Sequence, residues 1–298
     1  MNRRVCPLSP ENFDECTAFL LAHEHRCVSL VSNILEDGKP IFEKKKSSLF
    51  IVLSRTAADG TRVIDGVIYL SPGGTLLHLL SDAVEATQYT RSLRYWLKGR
   101  RIHCIMGTME GNLILEKVML QQSYRTLDYD LMVLTKPPQA AAGVLPQLPE
   151  PHPLAHKKPS IRKASLRDAN LLLPLQLGYE KEEVLAPGNT PNTARTLTAL
   201  RLALSQQQIY AGFYGDQVVA KAGTNARGVN WDQLGGIYTD TNYRALGIAS
   251  ALVAHVVRKQ TKEGKKICLF VKNNNLYAKK AYARVGFEPD SAFRIAYY

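Results

Sequence analysis

The sequence has few cysteines, and they are not arranged in pairs. The five lie far apart in the chain: Cys6, Cys16, Cys27, Cys104 and Cys268. An odd number of scattered cysteines argues against a disulfide framework, and none has the CxxC spacing of a zinc site. The seven histidines show no metal-binding spacing either. We therefore expect no metal site and a reducing, cytoplasmic location.

The chain also lacks a long hydrophobic run. The longest nearly apolar stretch, 247–257, is interrupted by His255 and falls well short of the roughly 18 to 20 apolar residues that cross a bilayer. After Met1, the place of a secretory apolar segment is taken by Pro7, Pro10 and Glu11. We expect neither a membrane span nor export. Apolar residues make up 45% of the chain and charged residues 21%, which is typical of a globular protein with a core.

Acidic residues are scarce in the C-terminal half. Residues 1–140 contain 17 basic and 15 acidic residues, whereas residues 141–298 contain 21 and 11. Between Arg244 and Arg284 there are ten basic residues and a single acid, Glu263. This excess indicates an anionic partner, such as nucleic acid, a membrane surface or a polyphosphate cofactor, or else a solvated helix face. No nucleic-acid-binding motif is present.

Proline marks a boundary near residue 150. Seven of the 15 prolines lie within residues 136–160, and proline favours semi-extended linkers. We predict domains at residues 1–136 and 160–298, joined by a Pro-rich linker at 137–159. In the second domain we predict strands at 161–164, 208–213, 217–223, 234–238, 267–271 and 293–297. The predicted helices there are 166–179, 193–205, 247–262 and 276–284. This alternation indicates an α/β or α+β sheet domain.

The most informative segment runs from Gly235 to Ser250. A predicted strand leads into Arg244-x-x-Gly247-x-Ala249, and an amphipathic helix follows. The free N–H groups at such a helix start converge on one point and favour an anion. A dinucleotide-binding fold is the competing interpretation, but the GxGxxG spacing is absent and lysines stand where a ribose-binding acid is expected. A glycine that only lets the helix pack is the other alternative.

A second segment follows about 30 residues later, with Asn275, Ala278, Tyr282 and Gly286-Phe287 at regular spacing. Together the two segments resemble the GNAT superfamily of N-acetyltransferases. The first matches (Gln/Arg)-x-x-Gly-x-(Gly/Ala), and the second matches the family's Asn-x-x-Ala-x-x-x-Tyr-x-x-x-Gly-Phe. The resemblance covers roughly residues 160–298.

The resemblance implies that acetyl-CoA is the co-substrate, bound where two strands splay apart. Its pyrophosphate would meet the turn amides, its pantetheine arm the strand before the turn, and its 3′-phosphate Lys279 or Lys280, unless these are ordinary surface lysines. The implied cofactor-binding residues are Ile237, Tyr238, Thr239, Arg244, Ala245, Leu246, Gly247, Ile248, Ala249, Ser250, Asn275 and Lys279.

The resemblance also implies direct transfer of the acetyl group to an amine. Tyr282 stands where the family has its general acid, although a buried aromatic is the simpler interpretation. Glu182 and Glu183 follow the first helix and are plausible for deprotonating the amine, although carboxylates at helix ends are commonly only solvated. Asp232, Asp240 or a water chain are alternatives for the base. A strand amide near Tyr238 would stabilise the oxyanion.

The N-terminal half repeats the order of elements. Predicted strands are 49–53, 63–70, 75–80, 102–106 and 130–134, and predicted helices are 87–97 and 112–121. Residues 81–85 offer no glycine turn and two acids. We therefore expect two tandem GNAT-like domains, each a mixed, largely antiparallel sheet flanked by helices. The first would be a degenerate copy that covers the active domain and shapes the acceptor entrance. An unrelated α/β module is the alternative.

The predicted function is therefore that of an N-acetyltransferase acting on a small-molecule or peptide amine. The alternative is a non-catalytic acyl-CoA-binding sensor. We expect no nucleic-acid or membrane partner, and the sequence leaves an oligomer open.

Overall fold

The computed structural model describes residues 3–36, 38–42, 47–81, 86–119, 122–138, 143–186 and 188–298. The elements of the N-terminal half are β1 (Arg3–Pro7), α1 (Phe13–Ala22), α2 (Val28–Ile34), β2 (Leu35–Glu36), β3 (Lys39–Pro40), β4 (Leu49–Thr56), β5 (Arg62–Leu70), β6 (Thr75–Leu80), α3 (Ala86–Leu97), β7 (Cys104–Thr108), α4 (Met109–Met119) and β8 (Arg125–Leu134). The predicted strands and helices of this half are found, with shifts of a few residues. The helix predicted at residues 112–121 corresponds to α4, and its last two residues, 120–121, lie outside the described residues. The acidic stretch Asp82–Glu85, which follows β6 in the sequence, also lies outside them.

The C-terminal half begins with β9 (Pro159–Lys163). It continues with α5 (Ala169–Tyr179), α6 (Thr193–Gln206), β10 (Ile209–Tyr214), β11 (Gln217–Arg227), β12 (Trp231–Thr239), α7 (Ile248–Lys262), β13 (Lys266–Lys272), α8 (Leu276–Val285) and β14 (Phe287–Tyr297). Every strand and helix predicted here is present. A π-helical turn, Glu180–Val184, extends α5.

Local signals explain where several helices begin and end. The side chains of Asn192 and Asn275 accept hydrogen bonds from the backbone N–H groups of Arg195 and Ala278, and so cap α6 and α8. Helix α8 ends at Gly286, whose φ of 108° is a left-handed conformation that favours glycine. Asn275 and Gly286 thus flank the helix that was predicted at residues 276–284.

A twelve-stranded sheet runs through the whole molecule in the order β1-β4-β5-β6-β7-β14-β8-β13-β12-β11-β10-β9. Its pairs are antiparallel except β6–β7 and β12–β13, which confirms the prediction of a mixed, largely antiparallel sheet. The last strand of each half has crossed to the other half. Strand β14 pairs with β7, β8 pairs with β13, and β8 and β14 pair with each other.

Helices cover both faces of the C-terminal part of the sheet. Along β10, Tyr210 and Tyr214 pack in the cluster that includes α7 and α8, whereas Ala211 and Phe213 pack in the cluster under α5 and α6. Side chains alternate between faces along a strand, so the two clusters lie on opposite sides. No helix in the described ranges is long and apolar enough to span a membrane.

The Pro-rich segment between the halves is packed rather than free. Its described residues, 137–138 and 143–158, form no helix or strand, as the proline content predicts. Leu145 and Leu148 are nevertheless buried in the core cluster of α7, and the Tyr214 hydroxyl donates a hydrogen bond of 2.6 Å to the Pro146 carbonyl. Its apolar side chains, spaced between the prolines, account for this packing.

Candidate functional site

The parallel strands β12 and β13 separate partway along their length. Their pairing runs from Trp231–Lys266 to Leu234–Leu269 and stops there. Strand β12 continues to Thr239 beside β11, while β13 continues to Lys272 beside β8. The edge of β12 from residue 235 to residue 239 therefore has no β13 partner and lines a V-shaped opening in the sheet, which we call the splay.

A β-bulge lies on the β12 side of the splay. In the β11–β12 register Lys221 lies opposite Tyr238, and Gly223 lies opposite Gly235. Gly236 and Ile237 on β12 thus lie opposite a single residue of β11, and two residues opposite one define a β-bulge. Gly236 has a φ of 58°, a conformation that favours glycine, and its carbonyl accepts a 2.7 Å hydrogen bond from Lys221 Nζ.

The turn between β12 and α7 presents backbone amides. Ala245 and Gly247 have left-handed φ values of 62° and 77°. The first helical bond of α7 is donated by Ala251 N–H to Gly247 O, at 3.0 Å. The amides that precede Ala251 in the first turn thus have no partner within the helix, and they carry the positive end of the helix dipole. Ser250 Oγ bonds the Ala281 carbonyl at 3.2 Å and ties α7 to α8.

Glu182 lies on the π-helical turn and contacts the turn between β12 and α7. Its carboxylate accepts hydrogen bonds of 3.0 and 2.8 Å from Arg244 Nη2 and one of 2.8 Å from the Tyr238 hydroxyl. Arg244 Nε also donates to the Thr239 carbonyl at 3.1 Å. The arginine of the turn is therefore held by a carboxylate and by the end of β12.

The neighbouring Glu183 reaches the other side of the splay. Its carboxylate lies 3.1 Å from Lys272 Nζ and 3.3 Å from Asn275 Nδ2. Lys272 Nζ also donates to the Glu182 carbonyl at 3.2 Å. The two glutamates thus connect the β12 edge to the β13 edge, so the π-helical turn spans the splay.

Glu183 interacts electrostatically with three tyrosines. Burial raises the pKa of Tyr282, of Tyr129 on β8 and of Tyr179 at the end of α5, the last to about 12, and the Glu183 carboxylate raises each further. Tyr179 also raises the pKa of the other two. Tyr282 is 7% exposed. All three phenols therefore keep their protons at neutral pH.

The structure brings most of the predicted site residues together. Ile237, Tyr238 and Thr239 line the splay, Arg244 to Ser250 form the turn, and Asn275 and Tyr282 lie on the α8 side. Lys279, predicted as a phosphate contact, is ion-paired with Asp130 of β8. Among the alternatives for a base, Asp240 accepts a hydrogen bond from the Asn242 amide.

One alternative for the base, Asp232, lies away from the turn between β12 and α7. Asp232 lies at the start of β12, seven residues before Thr239, which is about 20 Å along a strand. Its carboxylate is fully buried and lies 3.7 Å from Arg227 Nε. Asp232 is therefore remote from the end of β12 that lines the splay.

Sequence reasoning missed several residues at the site: Tyr129, Tyr179, Lys221 and Lys272. None belongs to a recognisable motif. The one available signal for Lys221 was its position in β11, where the alternating pattern of the strand predicts an apolar side chain. Tyr129 had no such signal, since its place beside Lys272 depends on the pairing of β8 with β13.

Residues 180–287 match the model of the acetyltransferase (GNAT) family. This segment belongs to the GNAT family. It contains both motifs, the splay and the bridging glutamates, so the resemblance predicted for the C-terminal half is confirmed. A search of curated proteins gave no match.

Solved structures of two GNAT proteins and of a Drosophila protein share the fold of the whole chain. A tandem GNAT protein from the clavulanic acid biosynthesis pathway is 14% identical, with a TM-score of 0.57 over 99% of this chain and 98% of that one. A GNAT acetyltransferase from Colwellia psychrerythraea is 10% identical, with a TM-score of 0.53 over 99% of both chains. A Drosophila protein is 14% identical, with a TM-score of 0.64 over 100% of this chain and 99% of that one. At these identities the likeness shows the fold, and it confirms a tandem GNAT architecture that includes the N-terminal half.

Within the described ranges, no three His, Cys, Asp or Glu side chains are grouped so that they could hold a metal ion.

Proposed function

We propose that the protein is an acetyl-CoA-dependent N-acetyltransferase that transfers the acetyl group directly to a primary amine. The GNAT fold supports acetyl transfer in general. The observation that supports the specific proposal is the splay: an unpaired strand edge that leads directly into a helix start with free amides. Such an edge suits the amides of a pantetheine arm, and the helix start suits a pyrophosphate.

Each part of acetyl-CoA has a matching set of groups. The turn from Arg244 to Ser250 would hold the pyrophosphate, and the β12 edge from Ile237 to Thr239 would pair with the pantetheine. Asn275 would contact the pantetheine from the opposite side, and Lys279 would contact the 3′-phosphate after leaving Asp130. The excess of basic residues after Arg244 favours a polyanionic ligand here.

Tyr282 would be the general acid. When the amine nitrogen bonds to the thioester carbonyl carbon, the C–S bond breaks and the thiolate of CoA needs a proton. The Tyr282 hydroxyl carries its proton at neutral pH, as a phenol does, and would give it to the thiolate as the C–S bond breaks. The nitrogen becomes positively charged on attack and would lose its second proton, which restores the phenol. Burial raises the pKa of Tyr282 and so favours that return to the neutral form.

Of the two predicted bases, Glu183 suits the role better. Its carboxylate, which is ion-paired with Lys272, interacts electrostatically with all three tyrosines, and these include the proposed acid. Glu182 is hydrogen-bonded to Arg244 and Tyr238, so its role would be to position the turn and to bind the incoming ammonium. Glu183 would accept the proton that the ammonium loses before it attacks.

A panel of amines, from small molecules to peptides, tests the proposal with acetyl-CoA and detection of the released thiol. Tyr282→Phe should lower kcat by about 100-fold or more and leave the Kd of acetyl-CoA within about threefold. The matched control is Tyr214→Phe, which removes another buried hydroxyl, bonded to Pro146 O, and should leave turnover unchanged. Normal turnover in Tyr282→Phe would remove this residue from the mechanism. Binding of acetyl-CoA without turnover on any amine would favour the acyl-CoA sensor.

A further inference from the structure

Lys221 is a lysine in the interior of the C-terminal half. It is 4% exposed and lies on β11. Its Nζ donates a hydrogen bond of 2.7 Å to the Gly236 carbonyl and lies 4.9 Å from the centre of the Tyr179 ring. It forms no ion pair with a carboxylate of the described residues, and Glu180 acts on it only electrostatically. Burial of a charged group without a paired partner is costly, so a lysine at this position is unusual for a protein core.

The hydrogen bond of Lys221 reaches the peptide group at the bulge. Lys221 donates a hydrogen bond to Gly236 O, which belongs to the Gly236–Ile237 peptide. The carbonyl and N–H of a trans peptide point in opposite directions. The Ile237 N–H, which belongs to the same peptide as Gly236 O, is therefore directed away from Lys221.

The alternating direction of the backbone N–H groups along β12 leads to the same conclusion. Asp240 N–H bonds to Val219 O on β11, at 2.9 Å. The N–H groups of a strand alternate between its two edges, so Thr239 N–H is directed to the opposite edge, where β13 has separated. The Ile237 and Thr239 amides are thus the donors that β12 offers to the splay.

We propose that Lys221 is a positioning residue for the acyl group: its hydrogen bond to Gly236 O polarises the Gly236–Ile237 peptide and makes the Ile237 N–H a stronger donor to the thioester carbonyl of acetyl-CoA. This inference rests on the proposed function, since it requires that acetyl-CoA lies in the splay. Lys221 does not touch the substrate. It acts through the peptide, on the oxygen that becomes an oxyanion during transfer.

The size of such an effect follows from hydrogen-bond cooperativity. One hydrogen bond to a peptide carbonyl strengthens the next bond in the chain by about 10 to 30%, and a charged donor acts roughly twice as strongly. Loss of one full oxyanion donor lowers kcat by about 100- to 1,000-fold, so weakening a donor has a smaller effect. A spectroscopic measurement of the carbonyl is therefore more direct than a rate.

The groups that face Lys221 determine its pH dependence. They are Tyr179 and Glu180 at the end of α5 and Tyr238 across the β12 register; β10 contributes Ala211, which carries no charge. Burial lowers the pKa of Lys221 to about 7, and Glu180 opposes that shift. Tyr179 and Tyr238 have pKa values raised to about 12. Lys221 is a cation, and the stronger donor, below about pH 7, and it becomes a neutral amine above it.

The test measures the carbonyl stretch of isotope-labelled acetyl-CoA bound to the protein, by difference infrared spectroscopy. A stronger donor shifts this band to lower frequency. In Lys221→Met the downshift should be smaller than in the unmodified protein by about a quarter or more. The matched control is Lys265→Met, because Lys265 Nζ also donates to backbone carbonyls, those of Gly228 and Val229, at the other end of β12. Its downshift should be unchanged.

Calorimetric titration with acetyl-CoA accompanies the spectra, and the Kd should stay within about threefold in both variants. In the unmodified protein the downshift should be larger at about pH 6 than at about pH 8; this series needs no variant and decides the question if Lys221→Met does not fold. An equal downshift in Lys221→Met, or a pH-independent band, would overturn the role of Lys221 and leave the proposed function standing. If the unmodified protein does not bind acetyl-CoA, the proposed function and this inference both fall.

Discussion

Gly247 offers a direct test of the anion site at the start of α7. Its φ of 77° is left-handed, and an ideal Cβ built there meets no heavy atom within 4 Å. A Glu side chain at this position would thus enter open space beside the free amides of the first turn, where the pyrophosphate is proposed to lie. Gly247→Glu therefore changes the charge of the site without a steric clash with the protein.

The expected loss of affinity follows from Coulomb's law. At about 5 Å and an effective dielectric constant of about 40, two like unit charges repel by about 1.7 kcal/mol. Two ionised oxygens of the pyrophosphate give about 3 kcal/mol, which weakens binding by about 100-fold. We expect this increase in the Kd of acetyl-CoA, and a smaller one at high salt because the site is exposed.

The chain provides a matched control in Gly264. It has a φ of 82° and equally open surroundings, and it lies past the other end of α7, about 22 Å along the helix. Gly264→Glu carries the same conformational cost, about 1 to 2 kcal/mol, and the same charge, but more than a Debye length from the turn. Titration calorimetry with acetyl-CoA compares the two variants. Equal Kd values would show that the pyrophosphate binds elsewhere.

Two further predictions concern stability. Glu24 is fully buried and accepts hydrogen bonds from the backbone and side chain of Asn230. Glu24→Ala leaves these donors without a partner, so it should lower the free energy of unfolding by about 3 kcal/mol. The corresponding decrease in Tm is roughly 5 to 10 °C. Glu15→Ala removes an ion pair with Arg62 in which the Glu15 side chain is 44% exposed, so it should cost less than about 1 kcal/mol. Equal losses in the two variants would contradict the reasoning. Burial lowers the pKa of His78 from 6.5 to about 4, so the unfolded chain takes up this proton first as pH falls. Urea titrations should therefore show about 2 kcal/mol less stability at pH 5 than at pH 7 from this residue, and an equal loss in His78→Gln would refute that assignment.

The parts of the structure that the sequence predicted are those that depend on local patterns. Strand β12, the turn at Gly247 and helix α7 follow one another in the chain, and each has its own signal in periodicity, glycine or capping. The same holds for α8, between Asn275 and Gly286. The anion-binding corner could be identified because the fold forms it from adjacent residues.

Other parts depend on contacts between distant residues. The exchange of β8 and β14 is a choice between alternative pairings of similar strands, and no local pattern specifies it. Helices α1 and α2 lie in a stretch where no element was predicted. The apolar residues of α1 cluster at its end, in Ala18 to Ala22, and so lack a helical spacing. Likewise, the ion pairs of Glu182 with Arg244 and of Glu183 with Lys272 join residues 62 and 89 positions apart.

The exchanged strand gives the N-terminal half a physical link to the site. Strand β8 lies directly beside β13 and places Tyr129 opposite Lys272, while Arg125, at its start, donates a hydrogen bond of 3.3 Å to the Leu185 carbonyl next to the π-helical turn. In return β14 completes the sheet of the N-terminal half beside β7. Each half of the twelve-stranded sheet contains a strand from the other half of the chain. If the chain were cut between the halves and the two parts separated, the edges of β7 and β13 would be exposed. Strand β8 of the N-terminal half therefore supports the β13 side of the splay.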